Sequence, residues 1–159
     1  MTENGFVSFF HERFSRTVIL LISMGASRAD AEDAAQEAMI LAWRKWESVR
    51  DPAAWVRTVA VRSYVKRARA RGNHAVSLDE TAYEPAADGD LSIFAAEQQH
   101  VLRLLRGLPP GQRIVAALFY DGLTCEEIAE LIERSPGTVR SQLRHARNSL
   151  KGMLLSGGV

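Results

Sequence analysis

Apolar residues along the chain recur at intervals of three and four, the period of a helix with one buried face, and no convincing stretch alternates in the manner of a strand. Phe6, Phe10, Phe14, Val18 and Leu21 mark a first helix over residues 6–24, with Gly25 available for a left-handed stop. Ser27 followed by Asp30 resembles a capping box with Asp in place of Glu, and predicts a second helix to about Trp46. Asp51 and Pro52 supply an N-cap and a proline start for a third helix to about Arg71. Helical pattern resumes near Ile93, stops at Gly107, restarts after Pro109 and Pro110, and stops again at Asp121 and Gly122. The expected fold is therefore all-α.

Two elements near the end are the best marked. Thr124 and Glu127 form a capping box before a short helix over 125–132, and Ser135 with Pro136 opens a longer one to about Lys151. The intervening turn of Glu133, Arg134 and Ser135 gives helix-turn-helix proportions. Between the two helical units, residues 72–92 carry five acids, no Lys or Arg, and no apolar period. They read as a flexible acidic linker able to reach up to about 70 Å, so the halves at 1–71 and 93–159 need not touch.

Composition adds little until it is divided. The 159 residues contain 20 Lys plus Arg against 19 Asp plus Glu, a net charge of +1. That near-neutrality sums opposed blocks: residues 51–72 carry six bases and one acid, and 135–159 four bases and no acid. The single Cys125 excludes an internal disulfide, and with four scattered histidines it offers no metal-ligand spacing, so neither metal nor cofactor is expected. The apolar run Val18, Ile19, Leu20, Leu21, Ile22 is far short of the roughly 20 residues a membrane span needs. A soluble cytoplasmic protein without membrane insertion is expected. No nucleophile elbow, P-loop or zinc-protease motif is present, which argues against an enzyme.

The candidate chemistry lies on three helices. On the last, Val139, Leu143, Ala146 and Leu150 share one face within about 60°, while Arg140, Arg144, Arg147 and Lys151 stack beside it. Short residues Gly137, Thr138 and Ser141 stand near its start, where a recognition helix approaches base edges. The stripe alone would equally suit a solvated basic face; caps and turn favour contact with DNA. On the third helix Trp55, Val59 and Tyr64 are interleaved with Arg57, Arg62, Lys66, Arg67, Arg69 and Arg71, a surface suited to phosphates and unpaired bases. The second carries Asp33, Gln36 and Glu37, an acidic patch that by itself reads as solvated surface. Taken singly, Trp43, Trp46 and Trp55 read as core more readily than as base-stacking residues.

In this order the motifs resemble the sigma factors of bacterial RNA polymerase, specifically the small extracytoplasmic-function (ECF) group of the sigma-70 family. The run Asp30, Ala31, Glu32, Asp33, Ala34, Ala35, Gln36, Glu37 through Ala42 and Trp43 is similar to its core-binding helix. Asp51 to Val56 resembles the start of its minus-ten helix. Leu108, Pro109, Pro110, Gly111, Gln112 and Arg113, then Glu127, Ile128, Ala129 and Glu130, then Gly137 to Arg140 with Arg144 to Arg147, resemble its minus-thirty-five domain.

The resemblance implies that Asp33, Gln36 and Glu37 contact core RNA polymerase. It implies that Trp46, Glu47, Ser48, Val49 and Arg50, with Arg57, Arg62 and Lys66, grip the minus-ten element and couple base flipping to melting. Gly137, Thr138, Arg140, Ser141, Arg144, Arg147 and Lys151 would read the minus-thirty-five element. The linker would run near the polymerase active-site and RNA-exit channel. Promoter DNA and core polymerase are the implied partners, with an anti-sigma factor as a further family expectation; with nothing after Val159, regulation is expected from expression, degradation or a separate inhibitor. Four positions depart from the pattern: Glu133 where glycine is common, Arg62 where asparagine is common, and Ala34 with Ala35 in place of bulkier residues. A strained or reshaped turn is expected at Glu133. The other reading of the same residues is a stand-alone helix-turn-helix regulator whose first unit dimerises.

Overall fold

The protein is described from a computed structural model, which covers residues 3–70 and 94–156. Seven α-helices are found there: α1 Glu3–Ser23, α2 Arg28–Arg44, α3 Pro52–Ala70, α4 Ala96–Arg106, α5 Pro110–Tyr120, α6 Cys125–Ile132 and α7 Pro136–Leu155. No strand occurs among the described residues. The linker expected over 72–92 lies outside them.

Local sequence accounts for most of the boundaries. The Ser27 hydroxyl accepts the Asp30 N–H at 3.1 Å, and the Asp51 carboxylate accepts that of Ala54 at 3.3 Å, starting α2 and α3. Two ends differ from expectation. α2 stops at Arg44, because Lys45 leaves helical geometry and the chain turns through a short 3-10 segment, Trp46–Ser48, that drives Trp46 inward. Its indole is 5% exposed, packed on Phe6 and Phe9 with ring centroids 5.3 and 5.2 Å away. α7 runs past Lys151 to Leu155, its last turn anchored where Met153 packs on Gly107 at the end of α4.

α1, α2 and α3 form one three-helix unit; α5, α6 and α7, with α4 against them, form the second. The units are in contact. α1 lies against α4 and α5, α3 against α6, and the buried apolar residues form one continuous core. A tether long enough to separate the halves does not make them separate when each bears an unpartnered apolar face.

Arg113, at the start of α5, is the largest side chain fully buried in this arrangement, at 0% exposure. Its Nε donates to the Leu105 carbonyl at 3.3 Å and its Nη2 to that of Leu108 at 2.9 Å. The Leu105 carbonyl lies in the last turn of α4 and that of Leu108 in the turn just after it, so the cation lies at the negative end of that helix. Across the seam, a Cβ on Gly25 would come within 2.9 Å of Arg113 Nη1. Gly25 also has φ +117°, a conformation that strains any other residue, so two independent demands select glycine there.

Candidate nucleic-acid interface

The helix-turn-helix is built by its caps. Thr124 Oγ1 accepts the Glu127 N–H at 3.1 Å and Glu127 Oε1 accepts the Thr124 N–H at 3.0 Å, satisfying two donors at the start of α6. That contact pulls the Glu127 pKa below its ordinary value, chiefly through the bonds from Thr124. Ser135 Oγ accepts the Thr138 N–H at 3.1 Å and opens α7. Between them Glu133 takes the left-handed conformation, φ 57° and ψ 49°, the only non-glycine with positive φ among the described residues. The turn thus keeps the shape that glycine would favour, at a cost of about 1 kcal/mol or slightly more. The Arg134 N–H bonds back to Ala129 O at 3.0 Å and closes the end of α6.

Val139, Leu143 and Ala146 are buried, which turns the opposite side of α7 outward. Gly137, Thr138, Arg140, Arg144, Arg147 and Lys151 are all exposed and Ser141 is half-buried. Two of the cations have local engagements: Arg140 Nη1 lies 3.3 Å from Glu126 Oε1, and the Arg147 guanidinium rests 4.8 Å from the centre of the Phe119 ring. The exposed Arg140 pair contributes little and is readily exchanged for a phosphate.

The residues proposed on the first unit divide. Glu47, Ser48, Arg50, Arg62 and Lys66 are exposed, whereas Trp46 and Val49 point inward and hold the loop. Trp43 is 47% exposed and packs at a tilt on Phe6, ring centroids 5.0 Å apart. On α3, Arg57 lies about 140° from Arg62 around the helix, so the two do not share a face. Arg57 continues the buried stripe of Ala60, Val61, Tyr64 and Ala68, and its guanidinium, 28% exposed, reaches Asp121 of the second unit at 3.3 Å. Arg69 also crosses the seam: its Nη2 donates to Ile132 O at 3.1 Å, and its Nη1 lies 3.6 Å from Glu133 Oε2. Composition marked α3 as basic but could not distinguish outward cations from those turned toward the second unit.

Asp33 and Gln36 are exposed on α2. Glu37 is half-buried, accepting from Ser63 Oγ at 2.9 Å and pairing with Arg67 on α3. Beside them Phe6, Val7, Phe10, Gln36, Met39, Ile40 and Trp43 line an apolar groove. The small Ala34 and Ala35 are fully buried and let α2 approach its neighbours closely. No cluster of metal-ligating side chains occurs among the described residues, and none of their helices is long and apolar enough to cross a membrane.

A small helical protein with an exposed basic recognition helix behind a capped turn belongs to the class of helix-turn-helix DNA-binding proteins. Known families narrow the class. Sigma-70 region 2 matches residues 12–74, and Sigma-70, region 4 matches residues 98–150. The ECF RNA polymerase sigma-E factor of Escherichia coli K12 is 30% identical over 154 residues, covering 87% of this chain and 81% of that protein. The ECF RNA polymerase sigma factor SigK of Mycobacterium tuberculosis is 29% identical over 159 residues, covering 94% and 85%. The chain therefore belongs to the ECF sigma factors of the sigma-70 family, which act in transcription initiation. Two solved structures share the fold. The sigma factor RpoE, in complex with the anti-sigma factor NepR from Bartonella quintana, matches at TM-score 0.63 and 23% identity, over 94% of this chain and 96% of that one. CnrH, in complex with the cytosolic domain of CnrY, matches at TM-score 0.59 and 21% identity, over 99% and 92%.

Proposed function

We propose that this chain is a promoter-specificity subunit that recruits core RNA polymerase, reads minus-thirty-five and minus-ten elements and promotes melting, with no chemistry of its own. The observation that carries the reading is α7: an exposed, acid-free cationic stripe of Arg140, Arg144, Arg147 and Lys151 beside a short-side-chain start at Gly137, Thr138 and Ser141. α7 enters the major groove of the minus-thirty-five element, its cations on phosphates and its first turn on base edges. Glu47, Ser48 and Arg50 on the loop, with Arg62 and Lys66 on α3, meet the unpaired minus-ten strand. Trp46 and Val49 shape that loop from behind, and Arg57 joins the DNA surface once Asp121 leaves it.

Asp33 and Gln36, with the Glu37 carboxylate that Arg67 and Ser63 hold in place, form the polar surface for core polymerase. An anti-sigma protein is a second partner, by analogy with the complex that the sigma factor RpoE forms with the anti-sigma factor NepR. The deciding experiment is reconstitution with core polymerase on genomic DNA, sequencing the transcripts. Promoter-selective initiation is expected; tight duplex binding without polymerase, at twofold half-sites, would instead make the chain a stand-alone regulator. Asp33→Arg, a change on an exposed side chain with no packing role, is expected to weaken co-elution with core polymerase while leaving thermal stability within about 0.5 kcal/mol. Unchanged co-elution would remove Asp33 from the interface.

A further inference from the structure

Asp121 is oddly placed for its own unit. It follows the last turn of α5, where the helix dipole disfavours a carboxylate. Its compensation comes from across the seam. Arg57 Nη1 lies 3.3 Å from its Oδ2, and Arg13 and Arg16 of α1 line the same cleft of about 160 Å³ with Thr17, Leu20 and Ala53. Burial raises the Asp121 pKa, while Arg57, Arg16 and Arg13 each act to lower it. Arg13 and Arg16 are one turn apart on α1 and Arg57 rises from α3, so the first unit alone presents three cations around a polar hollow. The second unit supplies the anion.

We infer that Arg13, Arg16 and Arg57 form an anion site on the first unit that takes a nucleic-acid backbone phosphate when the units part, and that Asp121, on the wall of the site in the closed chain, competes for it through its pair with Arg57. A carboxylate and a phosphate oxygen make the same charge-assisted bonds to guanidinium, so each excludes the other. The closed packing then ties up Arg57 and sets a carboxylate beside Arg13 and the exposed Arg16, and separation of the units leaves all three to a phosphate. This rests on the DNA-binding role proposed above and adds to it a competitor within the chain.

The test uses the full chain and a fluorescein-labelled single-stranded DNA oligonucleotide, followed by anisotropy over a salt series, with small-angle X-ray scattering reporting separation. Asp121→Asn is expected to increase the radius of gyration and to tighten binding at least about threefold, as the competent fraction grows. Adding Arg16→Ala or Arg57→Ala to it should abolish the gain. Arg57→Ala alone should open the chain without gaining affinity, a split that general loosening would not produce. Unchanged affinity in Asp121→Asn, or a gain that survives the loss of either arginine, overturns the site. Displacement of the oligonucleotide by inorganic phosphate beyond chloride of equal ionic strength would assign the cleft to a free anion and overturn the backbone-phosphate assignment. Promoter-selective initiation by the wild-type chain with core polymerase is measured in parallel: its failure removes the sigma-type function, whereas the cleft is judged on the binding differences alone.

Discussion

Glu133 shows how one residue can carry a cost that another residue would remove. Its left-handed backbone disfavours any side chain with a Cβ, and its carboxylate, 81% exposed, holds Arg69 only at 3.6 Å. The strain outweighs so exposed a pair. Glu133→Gly is therefore expected to stabilise the protein by about 0.5–1 kcal/mol, raising Tm by about 2–4 °C in calorimetry. Gly25→Ala runs the other way: positive φ and the approach of Arg113 Nη1 predict a loss of about 1–3 kcal/mol by urea titration. The turn at Glu133 is legible in the sequence, since the resemblance to sigma factors puts glycine at that position. Arg113 is not. Nothing local separates a buried arginine from an exposed one, because the carbonyls that satisfy it lie outside its own helix, that of Leu105 in the last turn of α4 and that of Leu108 in the turn that follows.

Helix starts were the most readable elements, for the same reason in reverse. Ser27, Asp51, Thr124 and Ser135 each bond a backbone N–H three residues on, so the whole interaction lies within one short stretch of sequence. Ser135→Ala is expected to cost about 1 kcal/mol and to fray the start of α7, seen as faster amide exchange at Thr138. The Glu127 cap adds a pH dependence. Its pKa is lowered on folding, so its contribution is complete above the unfolded glutamate value and is lost as pH falls through the folded one. Glu127→Gln should flatten that acid limb. On α7, Arg144→Ala should lower the salt slope of minus-thirty-five duplex binding by about one, because its guanidinium is exposed and ready for phosphate. The stripe was plain in the sequence. Which α3 cations face outward was not, because Arg57 ends an inward row whose other members are apolar.

For the whole molecule, the two halves, which a long acidic tether leaves free either to touch or to stand apart, are joined by a seam. Ile19 and Leu20 of α1 line one cleft there with Val101, Leu102 and Leu105 of α4, and Arg57 and Arg69 cross the seam with polar contacts. Joint packing is a property of two surfaces, and neither surface names its partner in its own periodicity. Since buried apolar residues of both units form one core, thermal unfolding is expected to be a single cooperative transition, with calorimetric and van't Hoff enthalpies in agreement; two resolved transitions would show that the seam adds nothing.

The seam also bears on how the protein behaves in a concentrated solution. Parting α1 from α4 bares Leu20, Leu102 and Leu105, which are nearly inaccessible in the closed chain. Apolar surface of that kind drives self-association when no other protein covers it. A variant opened at Asp121 should therefore scatter light increasingly with concentration and clear when a binding partner is added. Closure thus keeps the free subunit colloidally stable, so that its shelf life in the absence of polymerase depends on the same contact that withholds it from DNA.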